Sequence, residues 1–193
     1  MRFTFLFALM VCLVACKSSP QTPELVGLAY LADKPFRLNV ARVEVVKQYQ
    51  SSSIPPHVEN DLPVPPVAMV QQWVRDRLFT YGNKGYAVIT IEDASATETP
   101  LKKKTEKASF FTTTHSEQYD AKLAVKIEIF DDEGKQKGFC SARAQGSQST
   151  TNTMTIGQRR KLWIHLMENV MNQLDAELSQ SINTHLKQYL LDS

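Results

Sequence analysis

Side chains that could do chemistry are few in this 193-residue chain, and their spacing argues against catalysis. The four histidines are His57, His115, His165 and His185, and none stands at a metal-motif or triad spacing. His165 and Glu168, three apart, would share a helix face. Zinc needs three or four ligands and the second set is missing, so a surface or interface pair is expected. Asp131-Asp132-Glu133 lacks the alternating ligands of a calcium loop and reads as a solvated turn. Gly82-Asn83-Lys84-Gly85 is too short to cradle phosphates, and there is no nucleophile elbow or zinc-protease motif. No catalytic residue, metal or cofactor is expected.

Binding chemistry has a better candidate. Residues 100–118 hold Lys102, Lys103, Lys104 and Lys107, followed by Phe110 and Phe111. A basic run beside two phenylalanines suits anionic lipid head groups, lipopolysaccharide phosphates or an acidic protein partner. The composition equally describes a solvated excursion. Nineteen residues between two strands exceed the usual connection length, and such loops tend to carry function.

The elements that would position these groups follow from periodicity. Apolar residues make up 42% of the chain and charged residues 22%, with a formal charge of +2, which describes one folded domain and lacks the basic excess of a nucleic-acid binder. Residues 36–49 are rich in strand formers whose apolar parity changes midway, which predicts either a bulge near residues 40–42 or a strand covered on both faces. Residues 51–66 contain five of the nine prolines and exclude a central strand or helix interior. Pro65 and Pro66 then open an amphipathic helix through Val67, Val70, Trp73, Val74, Leu78 and Tyr81, expected to stop at Gly82. Strands are expected at 86–97, ended by Pro100, and at 119–129, with a hairpin turn at 131–135 and a returning strand at 138–149.

In that returning strand Cys140, Ala142, Ala144 and Gly146 alternate, so four small residues would lie beneath a helix. Thr155 and Gln158 form a capping box for a long helix running towards Leu190, about 52 Å at 1.5 Å per residue, whose end is expected to overhang the sheet. Trp73 and Trp163, one per helix, are expected to be neighbours in the core. The fold class is therefore α+β. It is a two-layer sandwich in the order β-α-β-β-β-α, with a four-stranded mixed sheet and both helices on one face.

The amino terminus carries a different kind of chemistry. Met1-Arg2 precedes an apolar run from Phe3 to Val14, too short to span a bilayer and followed by polar residues, which reads as a secretory signal. Its closing tetrad, Leu13-Val14-Ala15-Cys16, resembles the lipobox of bacterial lipoproteins. The resemblance implies a diacylglyceryl thioether on Cys16, cleavage before it and acylation of its new amino group. Residues 1–15 would then be the signal peptide, 16–34 a lipidated tether and 35–193 the single α+β domain. Two or three acyl chains anchor stably where one is marginal. Lys17 follows the cysteine in place of the aspartate that retains enterobacterial lipoproteins in the inner membrane, so the periplasmic face of the outer membrane is expected. Cys12 leaves with the signal and Cys16 is consumed, so Cys140 has no partner for an intramolecular disulfide.

Residues 40–46 (VARVEVV), Pro56-His57-Val58-Glu59, Pro63-Val64-Pro65-Pro66, Trp73, Arg77-Leu78, Asp120, Gly138-Phe139, Ser141-Ala142-Arg143-Ala144 and Leu174-Asp175-Ala176-Glu177 together resemble an uncharacterised lipoprotein family of Gram-negative bacteria. The element order is also similar to that of lipopolysaccharide-assembly lipoproteins and of auxiliary lipoproteins in ABC-type transport. The resemblance implies a location and no activity. The expected function is a non-enzymatic accessory module for an envelope protein or a transport or assembly complex. The alternative is a carrier of a small amphiphile or lipid in a groove between helices and sheet.

Overall fold

The computed structural model describes residues 33–101 and 115–191. Its strands and helices are, in order, β1 (Phe36–Leu38), β2 (Arg42–Lys47), α1 (Pro66–Arg77), β3 (Leu78–Thr80), β4 (Tyr86–Pro100), β5 (His115–Phe130), β6 (Gln136–Thr151) and α2 (Ile156–His185). A 3-10 turn at Lys187–Tyr189 follows. The four-stranded sheet has the order β2-β4-β5-β6. β2 and β4 are parallel across the α1 crossover, and β4, β5 and β6 form an antiparallel meander. This is the expected α+β arrangement of two helices on a mixed sheet with a long C-terminal helix. No helix among the described residues is long and apolar enough to cross a membrane.

The structure corrects several local expectations. The first strand is two strands in different sheets. β1 pairs parallel with β3, and β2 pairs with β4. Between them Val40 enters the core at 1% exposure, while Ala41 donates its amide to Lys84 and Gly85 carbonyls. The parity change is therefore a change of sheet, not a bulge.

α1 stops at Arg77, five residues before Gly82, because Leu78 turns extended (φ −115°, ψ 110°) and pairs with Phe36. The helical spacing of Leu78 and Tyr81 continued past the true end, since a buried β residue fits the same pattern. Gly82 answers to a different constraint. A Cβ there would lie 2.5 Å from the Asn39 carbonyl carbon and the Val40 nitrogen, so only glycine lets these backbones approach.

The bulge lies in β4, between Ile91 and Asp93. It switches the buried set from Ala87, Ile89 and Ile91 to Ala94 and Ala96, while β5 buries Tyr119, Ala121, Leu123, Val125, Ile127 and Ile129 without a break. Pro100 still pairs, opposite Glu117, and β5 begins at His115, so the expected loop of residues 100–118 shrinks at both ends.

α2 lies along β6, antiparallel to it. A Cβ on Gly146 would lie 2.8 Å from Val170 Cγ2, and one on Gly138 would lie 2.9 Å from the Tyr189 ring. The small face of β6 (Cys140, Ala142, Ala144) is what lets the helix sit this close, and Cys140 is buried and free. The helix does not overhang. Strands of sixteen residues match its length, Leu186 is fully buried, and Leu190 bridges back to Leu38. Its start is the expected capping box, with Gln158 N–H donating to Thr155 Oγ1 and Thr155 N–H to Gln158 Oε1.

Candidate functional site

Three networks of buried and half-buried polar groups connect the elements. In the first, Asp175 of α2 accepts from the Trp73 indole at 2.7 Å and from Arg77 Nε at 2.9 Å, both on α1. Arg77 continues to Ser179 Oγ at 3.0 Å and to the Lys34 carbonyl at 2.6 Å, and its guanidinium covers the Phe36 ring. One arginine thereby ties both helices to the chain entering the domain. The two tryptophans are not neighbours. Trp163 packs edge-on against Tyr119, twelve residues and about 18 Å up α2 from Asp175.

The second network is built on Glu59, which is fully buried in the proline-rich segment. That segment is pinned along β4, with Val58 N–H donating to Ala96 O and Glu98 N–H to Pro56 O. Glu59 Oε1 accepts from the Tyr49 hydroxyl, from His57 Nδ1 at 2.8 Å and from the Ala96 amide at 3.1 Å. Burial alone would raise the Glu59 pKa, but these hydrogen bonds outweigh it and hold the carboxyl below its usual range. Tyr49 is pushed the other way, upward, by burial and then by its bond to Glu59.

The third lies at the start of α2. Tyr119 donates to Glu98 Oε2 at 2.7 Å and accepts from Arg159 at 3.1 Å. Arg159 pairs with Glu117 at 2.9 Å, and Glu117 in turn accepts from Thr150. Burial, then the bond to Glu98, raises the Tyr119 pKa. Beside this network is a recess of about 370 Å³ lined by Asp61, Pro63, Ile156, Arg159, Arg160 and Trp163. A larger recess of about 650 Å³ lies where the β4 bulge meets β5 and β6, with Glu92, Asp93, Lys122, Arg143, Gln145 and Gln173 on its walls.

Chemically these groups brace the fold. Tyr49 and Tyr119 are shifted away from ionisation, and burial pushes the Cys140 thiol up to about 12, which makes it a poor nucleophile. His165 and Glu168 form the expected pair at 3.4 Å with His165 exposed, and no group of metal-ligating side chains occurs among the described residues. Asp131 turns its carboxylate back onto the amides of Glu133 and Lys135, while Asp132 accepts from Gly85, so the acidic turn joins two loops.

Cys16 and the candidate contact residues Lys102, Lys103, Lys104, Lys107, Phe110 and Phe111 lie outside the described residues. Sequence reasoning missed Glu59 and Asp175 as network centres. A carboxylate between apolar neighbours, as in Leu174-Asp175-Ala176, was the available signal for Asp175, whereas Glu59, between Val58 and Asn60, carried no such signal.

No family model matches the chain, and no curated protein matches it. Among solved structures it is similar to a minor lipoprotein from Acinetobacter baumannii, at 11% identity and a TM-score of 0.42, covering 81% of this chain and 99% of that one. It is also similar to rare lipoprotein B from Shewanella oneidensis, at 11% identity and a TM-score of 0.39, covering 74% and 95%. A third similar structure, lipoprotein GNA1162 from Neisseria meningitidis, shares 14% identity at a TM-score of 0.27, covering 70% and 99%.

Proposed function

We propose that this protein is a non-enzymatic lipoprotein, held through acyl chains on Cys16 at the periplasmic face of the outer membrane, whose folded domain is an accessory module for an envelope protein or a transport or assembly complex. The observation that carries this reading is the short apolar run closing on Leu13-Val14-Ala15-Cys16. Two features of the domain support it. Its perturbed tyrosines and thiol are shifted away from reactivity. The chain also enters the domain at a braced point, where Arg77 holds the Lys34 carbonyl, so a load on the tether reaches both helices directly. Lys102, Lys103, Lys104, Lys107, Phe110 and Phe111 are the proposed contact with anionic lipid or an acidic partner.

Growth with labelled palmitate tests the anchor. The wild-type chain incorporates label and Cys16→Ser does not; an unlabelled wild-type chain refutes the reading. Replacing the four lysines by glutamine in the unanchored chain should weaken its partition to envelope membranes, and an unchanged partition removes the loop from the proposal.

A second reading, carriage of a small amphiphile, rests on a surface recess and not on a groove between helices and sheet. The space between helices and sheet is filled by Trp73, Met69, Met171 and Leu174, all at 2% exposure or less. The recess at the start of α2, with Pro63, Ile156 and Trp163 beside Arg159 and Arg160, combines apolar walls with cations in about 370 Å³. Native mass spectrometry separates the readings, showing added lipid mass for a carrier and protein assemblies for an accessory module.

A further inference from the structure

β6 is an edge strand of sixteen residues, and half of that edge meets no partner among the described residues. Leu101 donates its amide to the Ser116 carbonyl at 2.9 Å, so even-numbered residues of β5 turn their main-chain groups to β4 and odd-numbered ones to β6. The β6 partners of those odd residues are even-numbered, as Leu123 pairs with Ala144 and Ala121 with Gly146. The N–H and C=O groups of Ser141, Arg143, Gln145, Ser147 and Ser149 therefore point out of the sheet. At one end these are occupied, because Ser181 Oγ donates to the Ser141 carbonyl at 3.1 Å and the Tyr189 hydroxyl to that of Lys137 at 2.8 Å. From Arg143 to Ser149 no group among the described residues meets them.

Edges are normally blunted by lysine, proline, bulges or short length. The opposite edge, β2, follows that rule, being six residues long with Arg42 and Lys47 at its ends. Residues 143–149 carry one charge, Arg143, which is 82% exposed and reaches Glu92 only at 4.0 Å.

We propose that β6 pairs antiparallel with β6 of a second copy of this chain, about a twofold axis at Gln145, extending the four-stranded sheet to one of eight. Charge selects the occupant and the register. With Gln145 on the axis, Arg143 of each copy stands opposite Ser147 of the other. Ser147 is bonded to Asp120, its partner on β5, and all three side chains share the outer face. Each guanidinium thus approaches a carboxylate two strand spacings in, about 9.6 Å between Cα atoms, within the combined reach of the two side chains. Moving the axis to Arg143 would oppose two guanidiniums, which is unfavourable. Gln173 of α2 lines the same recess as Gln145, so the helix places a neutral amide near the axis. This pairing goes beyond the accessory role and does not depend on it.

The test is Gln145→Cys in the full chain, oxidised in its own envelope. Directly opposed residues of such a pair lie about 5.5 Å apart at Cα, within disulfide range, so covalent dimer should form in at least about tenfold the yield of wild type or of Arg143→Cys. The two copies of residue 143 would be about 14 Å apart. Gln145→Pro removes only an outward amide, so its far-UV circular dichroism should match wild type while it sediments as a monomer. Arg143→Glu should lower the Gln145→Cys dimer yield by about fivefold, and adding Asp120→Lys should restore it. A Gln145→Cys chain that stays monomeric under oxidation, dimer that forms better through residue 143, or a Gln145→Pro chain that sediments with a dimeric wild type each overturns the pairing.

Discussion

Trp73 donates its indole N–H to Asp175 at 2.7 Å across 102 positions of sequence, and Arg77, one turn further along the same helix, meets the same carboxylate oxygen at 2.9 Å. Both charged residues are buried, at 3% and 6% exposure. A buried ion pair is weak evidence for stability in itself, but removing one partner leaves the other charge stranded. Here the stranded group would be an arginine between two helices and the entering chain.

Asp175→Ala should therefore lower unfolding free energy by about 3–5 kcal/mol, read from the midpoint of guanidinium denaturation. Asp175→Asn should cost less, because it keeps an acceptor for the indole while losing the charge. Midpoints equal to wild type in both variants would show that the network contributes nothing.

Acid should weaken the protein through Glu59. Its folded pKa lies below the ordinary value of 4.5, so its contribution is present above that value and is lost as pH falls through the folded pKa. Glu59→Gln keeps the shape and loses the charge. Wild type should exceed it by about 1–3 kcal/mol at pH 7, with the gap closing as pH falls below 4.5. A gap that is constant from pH 7 to about 3 would assign the effect to packing alone.

Cys140 should resist thiol reagents in the native state. It is 2% exposed beneath α2, and its pKa is pushed up to about 12, so the native thiolate fraction at pH 8 is roughly a thousandfold below that of a free cysteine. Mass-spectrometric labelling of the Cys140 peptide should be slow in buffer and fast in denaturant. Rapid native labelling would mean that α2 lifts from β6.

Much of this arrangement was legible because the burial pattern and the backbone period agree. Tyr119, Ala121, Leu123, Val125, Ile127 and Ile129 alternate without a break and form the strand they predict. Cys140, Ala142, Ala144 and Gly146 are small because a helix passes over them, and Thr155 with Gln158 starts that helix as a capping box should. The errors fall where one pattern serves two structures. Leu78 suits a helix face and is a buried strand residue, and Val40 suits a bulge and is the pivot between two sheets. The parity change from Ile91 to Ala94 and Ala96 held the true bulge in plain view, but period alone does not say which of two irregular strands bends.

The sequence by itself determined the α+β class, the order of the main elements, the helix start at Thr155 and the small face of β6, since each rests on neighbours within a few positions. Only the tertiary structure decided that Trp73, Arg77 and Asp175 share one site, that Glu59 is buried among Tyr49, His57 and Ala96, and that half of the β6 edge meets no partner among the described residues. The reason is physical. A hydrogen bond or ion pair between residues about a hundred positions apart leaves no periodic trace, because its partners are brought together by the packing of other side chains.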